Sequence, residues 1–280
     1  MKLATIRTPG GGTEAVRVDS TTAVSLGVPD VGTLLAQSNW RQTAERASGE
    51  ALDVGTAAYA PVVPRPGKIV CVGLNYRTHI LEMGRELPEY PTLFSKYADT
   101  LVGAGDDIRR PVETDEFDWE CELAVIIGTE VRRPTVEQAE AAIAGFAVLN
   151  DVTCRDWQFR TREWLQGKNW EATTPLGPWL VTPDELPGGV RPRLAIRTEL
   201  DGETMQSDTT GDLLFDPVTL VRYIATMGTL RPGDVIATGT PGGVGHARRP
   251  ARFLVAGQKL VTEVEGLGRC ENLVVEDGAR

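Results

Sequence analysis

The 280 residues carry 39 acidic and 29 basic side chains, a net charge of −10, with 41% hydrophobic residues. That balance argues against a nucleic-acid or anionic-membrane partner and leaves a small molecule or a second subunit. No apolar run reaches the length of a bilayer span, and the segment from Met1 to Arg7 lacks the apolar core of a secretion signal, so a cytoplasmic protein is expected. Its four cysteines, Cys71, Cys121, Cys154 and Cys270, show no zinc or redox spacing and are read as reduced core thiols.

Residues 1 to 65 read as a small α/β unit. Strands are expected at Lys2 to Arg7 and near Glu14 to Val18. A helix follows Asp30, with Val31, Leu34, Leu35 and Trp40 on its apolar side, and runs out near Ser48-Gly49. Pro61-Val-Val-Pro-Arg-Pro-Gly67 cannot sit in a helix or a central strand, which predicts a boundary before a second domain over residues 66 to 280. That larger part has close-set strands at Lys68 to Gly73, Cys121 to Gly128, Phe146 to Leu149, Leu194 to Leu200, Val235 to Thr238, Phe253 to Val255 and Leu260 to Val264. Its helices are few: one opened by a Thr135/Gln138 capping box and stopped at Gly145, another opened by Asp216-Pro217 and ended by Gly228. The pattern predicts a mainly β fold with some α, a mostly antiparallel sandwich or β-roll.

Candidate chemistry appears in the same order. His79 and Glu82 stand three residues apart where a strand gives way to a helical turn, a spacing that lets a carboxylate orient an imidazole as a general base or makes a surface pair. In Asp118-Trp-Glu-Cys-Glu-Leu-Ala-Val-Ile-Ile-Gly128, alternation puts Glu120 and Glu122 on one face of a strand that turns apolar on both. Either they precede the burial and are solvated, or they need a cation. Asp151 ends an apolar strand, as a turn former or as the third carboxylate of an all-oxygen set suited to Mg²⁺ or Mn²⁺ before Zn²⁺. Lys168, taken alone, reads as a solvated lysine. The glycine-rich loop Thr238-Gly-Thr-Pro-Gly-Gly-Val-Gly245 lacks dinucleotide spacing, as does Gly103-Ala-Gly105, and His246 after the loop reads as a surface residue.

Six stretches, in order, resemble the fumarylacetoacetate hydrolase family: Gly73-Leu-Asn-Tyr-Arg-Thr-His, Asp118-Trp-Glu-Cys-Glu-Leu, Asn150-Asp-Val-Thr-Cys-Arg-Asp, Gln166-Gly-Lys, Pro175-Leu-Gly-Pro-Trp and the glycine-rich loop. The resemblance covers residues 66 to 275 and implies the family's β-roll, usually as a homodimer. It implies Mg²⁺ or Mn²⁺ (Ca²⁺ as a substitute in crystals) held by Glu120, Glu122 and Asp151. His79 with Glu82 would activate water, Lys168 would stabilise negative charge, and Arg155, Gln158 and Thr240 would line the substrate site. The expected activity is hydrolysis of a carbon–carbon bond in a 2,4-dioxo, acylpyruvate-like acid. The alternatives are a 2-oxo acid decarboxylase, as for oxaloacetate, a 2-hydroxy-dienoate isomerase, and, from another class, a metal-stabilised binding protein without turnover. Arg77, Arg155, Arg160 and Arg162 are candidates to meet a second substrate carboxylate.

Overall fold

The Cys121–Ile127 strand is buried at every residue, and its two faces enter two different cores. Cys121, Leu123, Val125 and Ile127 pack with Val218, Leu220, Val221 and Ile224 of the Pro217–Met227 helix and with Ile196, Val264 and Cys270 of a second sheet. Ala124 and Ile126 pack on the other side with Val31, Leu34, Leu35 and Trp40. The period-2 pattern of an extended chain explains the division. The computed structural model from which this follows describes residues 1–278 other than 50, 56 and 83, and the backbone but not the side chain of Glu82.

Among the described residues the large sheet runs edge to edge through Leu52–Asp53, Thr22–Ser25, Thr13–Asp19, Lys2–Arg7, Thr174–Val181, Ile143–Asn150, Cys121–Ile127, Val235–Ala237, Ile69–Gly73 and Thr92–Lys96. Most neighbours are antiparallel, but Val235–Ala237 runs parallel to Ile69–Gly73. The strands of the first 60 residues therefore extend the sheet that carries the acidic strand, joined where Lys2 and Leu3 pair with Val181 and Leu180. A second sheet of Glu203–Thr209, Ala195–Leu200, Lys259–Val264, Gly268–Glu276 and Ile108–Arg110 lies against the first across the shared core. The fold is mainly β, in mixed sheets, as the sequence predicts.

The capping box forms, with Thr135 accepting from the Gln138 backbone and Gln138 reaching back, and Asp216 caps its helix by accepting from Val218 and Thr219. Three expectations need correction. The helix after Asp30 is two, Val31–Leu35 and Trp40–Arg46, separated where Asn39 leaves helical geometry. The helix from the capping box ends at Ala142, not Gly145. Gly145 lies inside the next strand, where a side chain would meet the Val181 carbonyl at 2.3 Å and Leu180 at 2.5 Å, so the glycine marks a close crossing of strands and not a helix stop. Residues 253–255 form no strand; Leu254 makes a single backbone bond to the Phe117 carbonyl (2.7 Å) in a segment too short to pair.

All four cysteines are buried free thiols. Burial pushes each thiol up, Cys154 and Cys270 to about 12. The native fold thus favours the protonated thiol, while the unfolded chain ionises near its ordinary pKa of about 8.5. The sign follows: this contribution to stability is complete below about pH 8.5 and is lost as pH rises towards the folded values. Native protein at pH 8 should give no rapid reaction with a thiol reagent such as Ellman's, and all four should react in guanidinium. A fast-reacting thiol in the native state would contradict this burial.

Candidate metal centre

Glu122 lies on the Ala124 and Ile126 face of its strand, and Glu120 precedes it by one alternation just before the strand begins. Asp151 arrives from the end of the paired Ile143–Asn150 strand, where Cys121 faces Asn150 and the Asp151 amide donates to the Glu120 carbonyl at 2.9 Å. That pairing delivers the third carboxylate. Glu120, Glu122 and Asp151 each offer an oxygen within 4.8 Å of the others, and all three are buried.

The charges around them are organised. Lys168 Nζ donates to Glu120 Oε2 at 2.6 Å and to Asp151 Oδ2 at 2.7 Å. Lys96 Nζ reaches Asp151 Oδ1 at 2.8 Å and the Val152 carbonyl at 3.1 Å. Arg155 forks, Nε to Asp118 at 2.8 Å and Nη1 to Glu120 at 2.6 Å, and Nη1 also meets Gln158 at 3.0 Å. Glu122 accepts from the Gly239 amide at 2.7 Å.

Four buried carboxylates thus face three buried cations. The deficit falls on Glu122: its burial, followed by the charges of Asp151 and Glu120, holds its carboxyl well above the usual range. Burial would also raise Asp151, but Lys168 and Lys96 outweigh it and hold that carboxylate below its ordinary value. Burial alone would depress Lys168, yet Asp151 and Glu120 raise it, so it stays an ammonium. An all-oxygen donor set short of positive charge fits a hard divalent cation.

A cavity of about 680 Å³ opens beside this centre, its buried lining including Glu120, Glu122, Arg155, Gln158 and Lys168, with half-buried Thr240, and its exposed lining including Arg85, Phe159, His246 and Arg249. His79 also lines it. Glu82 occupies the last position of the Arg77–Glu82 helix, and its side chain, and so the His79–Glu82 pair, lies outside the described residues. The Thr240 hydroxyl donates to the Cys121 carbonyl (2.9 Å) and accepts from Gln206 (2.8 Å), which leaves it only as an acceptor towards the cavity.

Three readings of single residues change. Lys168, which in isolation reads as solvated, is 2% exposed. His246 is exposed but lines the cavity, its ring 5.3 Å from Phe159. Of the arginines considered for a second carboxylate only Arg155 lines the cavity, and Arg160 is stacked 3.4 Å over Trp157. Two participants carry no flag in the sequence reading. Lys96 ends the Thr92–Lys96 strand on the Phe94 face, and nothing local separates it from a solvated lysine. Asp118 did have a signal, since alternation places it with Glu120 and Glu122. It accepts from Arg155 and from the Trp119, Gly245 and His246 amides, tying the glycine-rich loop to the acidic strand.

The fumarylacetoacetate hydrolase C-terminal family matches residues 68–275. A mitochondrial oxaloacetate tautomerase from Bos taurus is 43% identical over 218 residues, 77% of this chain and 68% of the relative. One from Homo sapiens is 40% identical over 232 residues, 78% of this chain and 73% of its own. Among solved structures, a fumarylacetoacetate hydrolase from Exiguobacterium antarcticum superposes with a TM-score of 0.88 at 30% identity, covering 99% of both chains. A 5-carboxymethyl-2-hydroxymuconate delta-isomerase from Mycobacterium smegmatis gives 0.79 at 31% identity over 99% of this chain and 100% of that one.

Proposed function

Because the chain belongs to the fumarylacetoacetate hydrolase family, we propose that it is a metal-dependent enzyme acting on 2-oxo acids, interconverting their keto and enol forms through an enolate. One observation carries this reading: the three buried carboxylates Glu120, Glu122 and Asp151 converge, with oxygens within 4.8 Å of one another, beside a cavity that Arg155 and Lys168 also line. A guanidinium and an ammonium beside a hard-cation centre suit the oxygens of a 2-oxo carboxylate.

The division of labour follows from the side chains. Glu120, Glu122 and Asp151 would hold Mg²⁺ or Mn²⁺, which supplies the Lewis acidity that polarises a 2-oxo acid. Arg155, held in place by Asp118 and Glu120, binds a substrate oxygen from the cavity wall. Lys168, kept protonated by its two carboxylates, is a poor base and a good partner for charge developing on oxygen. His79, on the cavity wall, carries the proton to and from the substrate carbon, and Gln158 and Thr240 supply polar wall. The tautomerase names of the relatives at 40–43% identity favour this outcome of the enolate.

Hydrolysis of an acylpyruvate is the second reading, favoured by the place of His79 on the cavity wall, where with Glu82 it would activate water. One experiment separates the two. Enol-oxaloacetate and acetylpyruvate are each mixed with protein and Mg²⁺ or Mn²⁺, with and without EDTA. A tautomerase removes the enol absorbance without releasing pyruvate or CO₂ and leaves acetylpyruvate intact. A hydrolase yields acetate and pyruvate from acetylpyruvate. Metal-independent rates with both substrates, or none at all, would defeat the metal-enolate proposal.

The four reduced thiols favour a reducing compartment, for which we propose the cytoplasm, although the relatives named here are mitochondrial. Among the described residues no helix is long and apolar enough to cross a membrane. The family resemblance favours a homodimer, which sedimentation velocity would report as twice the chain mass; a monomer at micromolar concentration would refute it.

A further inference from the structure

Beyond its acidic end, the cavity changes character. Glu120 and Glu122 are the only carboxylates among its described lining residues, and the other charged or titratable groups away from the centre include Arg85, Arg249 and His246. Phe159 accompanies them, its ring 5.3 Å from that of His246, while Phe94 and Trp164 line the wall nearer Lys168. In a chain with ten more acidic than basic residues, a cationic mouth is not what composition alone would produce.

Arg249 is the best placed of these. Its Nη1 donates to the Arg248 carbonyl at 2.9 Å and to the His246 carbonyl at 3.5 Å, so the guanidinium is curled onto its own loop. That loop is anchored from beneath by Asp118, which accepts from the Gly245 amide at 2.7 Å and the His246 amide at 3.0 Å. Gly245 is pressed against it so closely that a side chain would fall 1.8 Å from the Arg252 carbonyl. Among the described residues neither Arg249 nor Arg85 pairs with a carboxylate; other exposed arginines such as Arg132 share that state, but of the unpaired ones only these two line the cavity. A guanidinium held by neutral carbonyls keeps its charge for an anion from outside the chain.

We propose that Arg249, with Arg85 and His246 at the same mouth, receives the far carboxylate of a 2-oxo dicarboxylate whose 2-oxo end lies at Glu120, Glu122 and Asp151. The protein's preferred substrates are then diacids, and Arg249 sets that preference. This rests on the 2-oxo acid reading above and extends it to the opposite end of the ligand. A cavity of about 680 Å³ has room for such a chain.

Calorimetry on the Mn²⁺-loaded protein tests it, with oxalate, 2-oxobutyrate, oxaloacetate and 2-oxoglutarate as ligands. Oxalate and 2-oxobutyrate have no far carboxylate. Wild type should bind at least one of the two diacids more tightly than 2-oxobutyrate. Arg249→Ala should weaken that diacid by at least about tenfold, as expected for loss of a charge-assisted pair. It should leave oxalate and 2-oxobutyrate within about twofold, and Arg249→Lys should recover part of the loss. In turnover the loss should appear in KM before kcat. Unchanged diacid binding in Arg249→Ala, or equal losses for mono- and diacids, would overturn the proposal. Wild-type protein that binds neither oxalate nor 2-oxobutyrate with Mn²⁺ present would overturn the 2-oxo acid reading itself, and this proposal with it.

Discussion

Glu122→Gln should separate folding from function more sharply than any other single change: ion affinity falls by more than about a hundredfold and turnover by about a thousandfold, while the ion-free protein loses no stability. Glu122 is 1% exposed, and its one strong neutral partner is the Gly239 amide. With burial, Asp151 and Glu120 all disfavouring its ionised form, the proton-bearing side chain is the comfortable one in the absence of an ion. Glutamine is close to that form in shape and charge. What glutamine cannot supply is the anionic oxygen that completes the three-carboxylate set. Thermal unfolding with and without excess Mn²⁺ reads the split, since an ion that binds only the folded state raises wild-type stability by about 2.7 kcal/mol at a hundredfold excess over its Kd. A variant that keeps the Mn²⁺-induced shift would remove Glu122 from the centre.

Lys168→Met should do the opposite, damaging the fold until an ion repairs it. The ammonium bridges Glu120 and Asp151 at 2.6 and 2.7 Å and sits 5.0 Å from the Phe94 ring centroid, almost without solvent. Its removal leaves Glu120 with Arg155 alone and Asp151 with Lys96 alone. Breaking a buried pair on one side costs about 3–5 kcal/mol. Urea unfolding should show a loss of that order without metal and a partial recovery with Mn²⁺, because a divalent cation restores the missing positive charge to the same two carboxylates. Turnover should stay down by about a hundredfold to a thousandfold even when the ion is bound, since the group facing developing charge is gone. Ion-free Lys168→Met as stable as wild type would show that the bridge contributes nothing to folding.

Local rules reveal much of this site. Alternation alone sorts Glu120 and Glu122 from Cys121, and the structure divides the strand between two cores along that line. The capping box at Thr135 and the cap at Asp216 are equally local, and both form. Legibility ends where the partner is remote. Lys96 reads as a surface lysine because its carboxylate lies 55 residues away, and the hold of Arg155 on Asp118, which spans 37, is equally invisible to spacing. Gly145 misleads for the same reason: its meaning comes from a strand crossing it, not from its neighbours in the chain. The cationic mouth shows this too, since Arg85 and Arg249 share a cavity although 164 positions separate them, and no spacing rule joins them.

The seam at Lys2–Val181 has a practical implication for anyone trimming this polypeptide. A shortened form begun at residue 66 would shed the helices over Ala124, Ile126, Ala147 and Leu149 and bare the flank of Thr174–Val181, which Lys2–Arg7 otherwise occupies. An oily plate and a vacant ladder would be uncovered together, inviting intermolecular strand addition. The front quarter of the molecule thereby serves as a permanent cladding over an edge and a face that would otherwise aggregate.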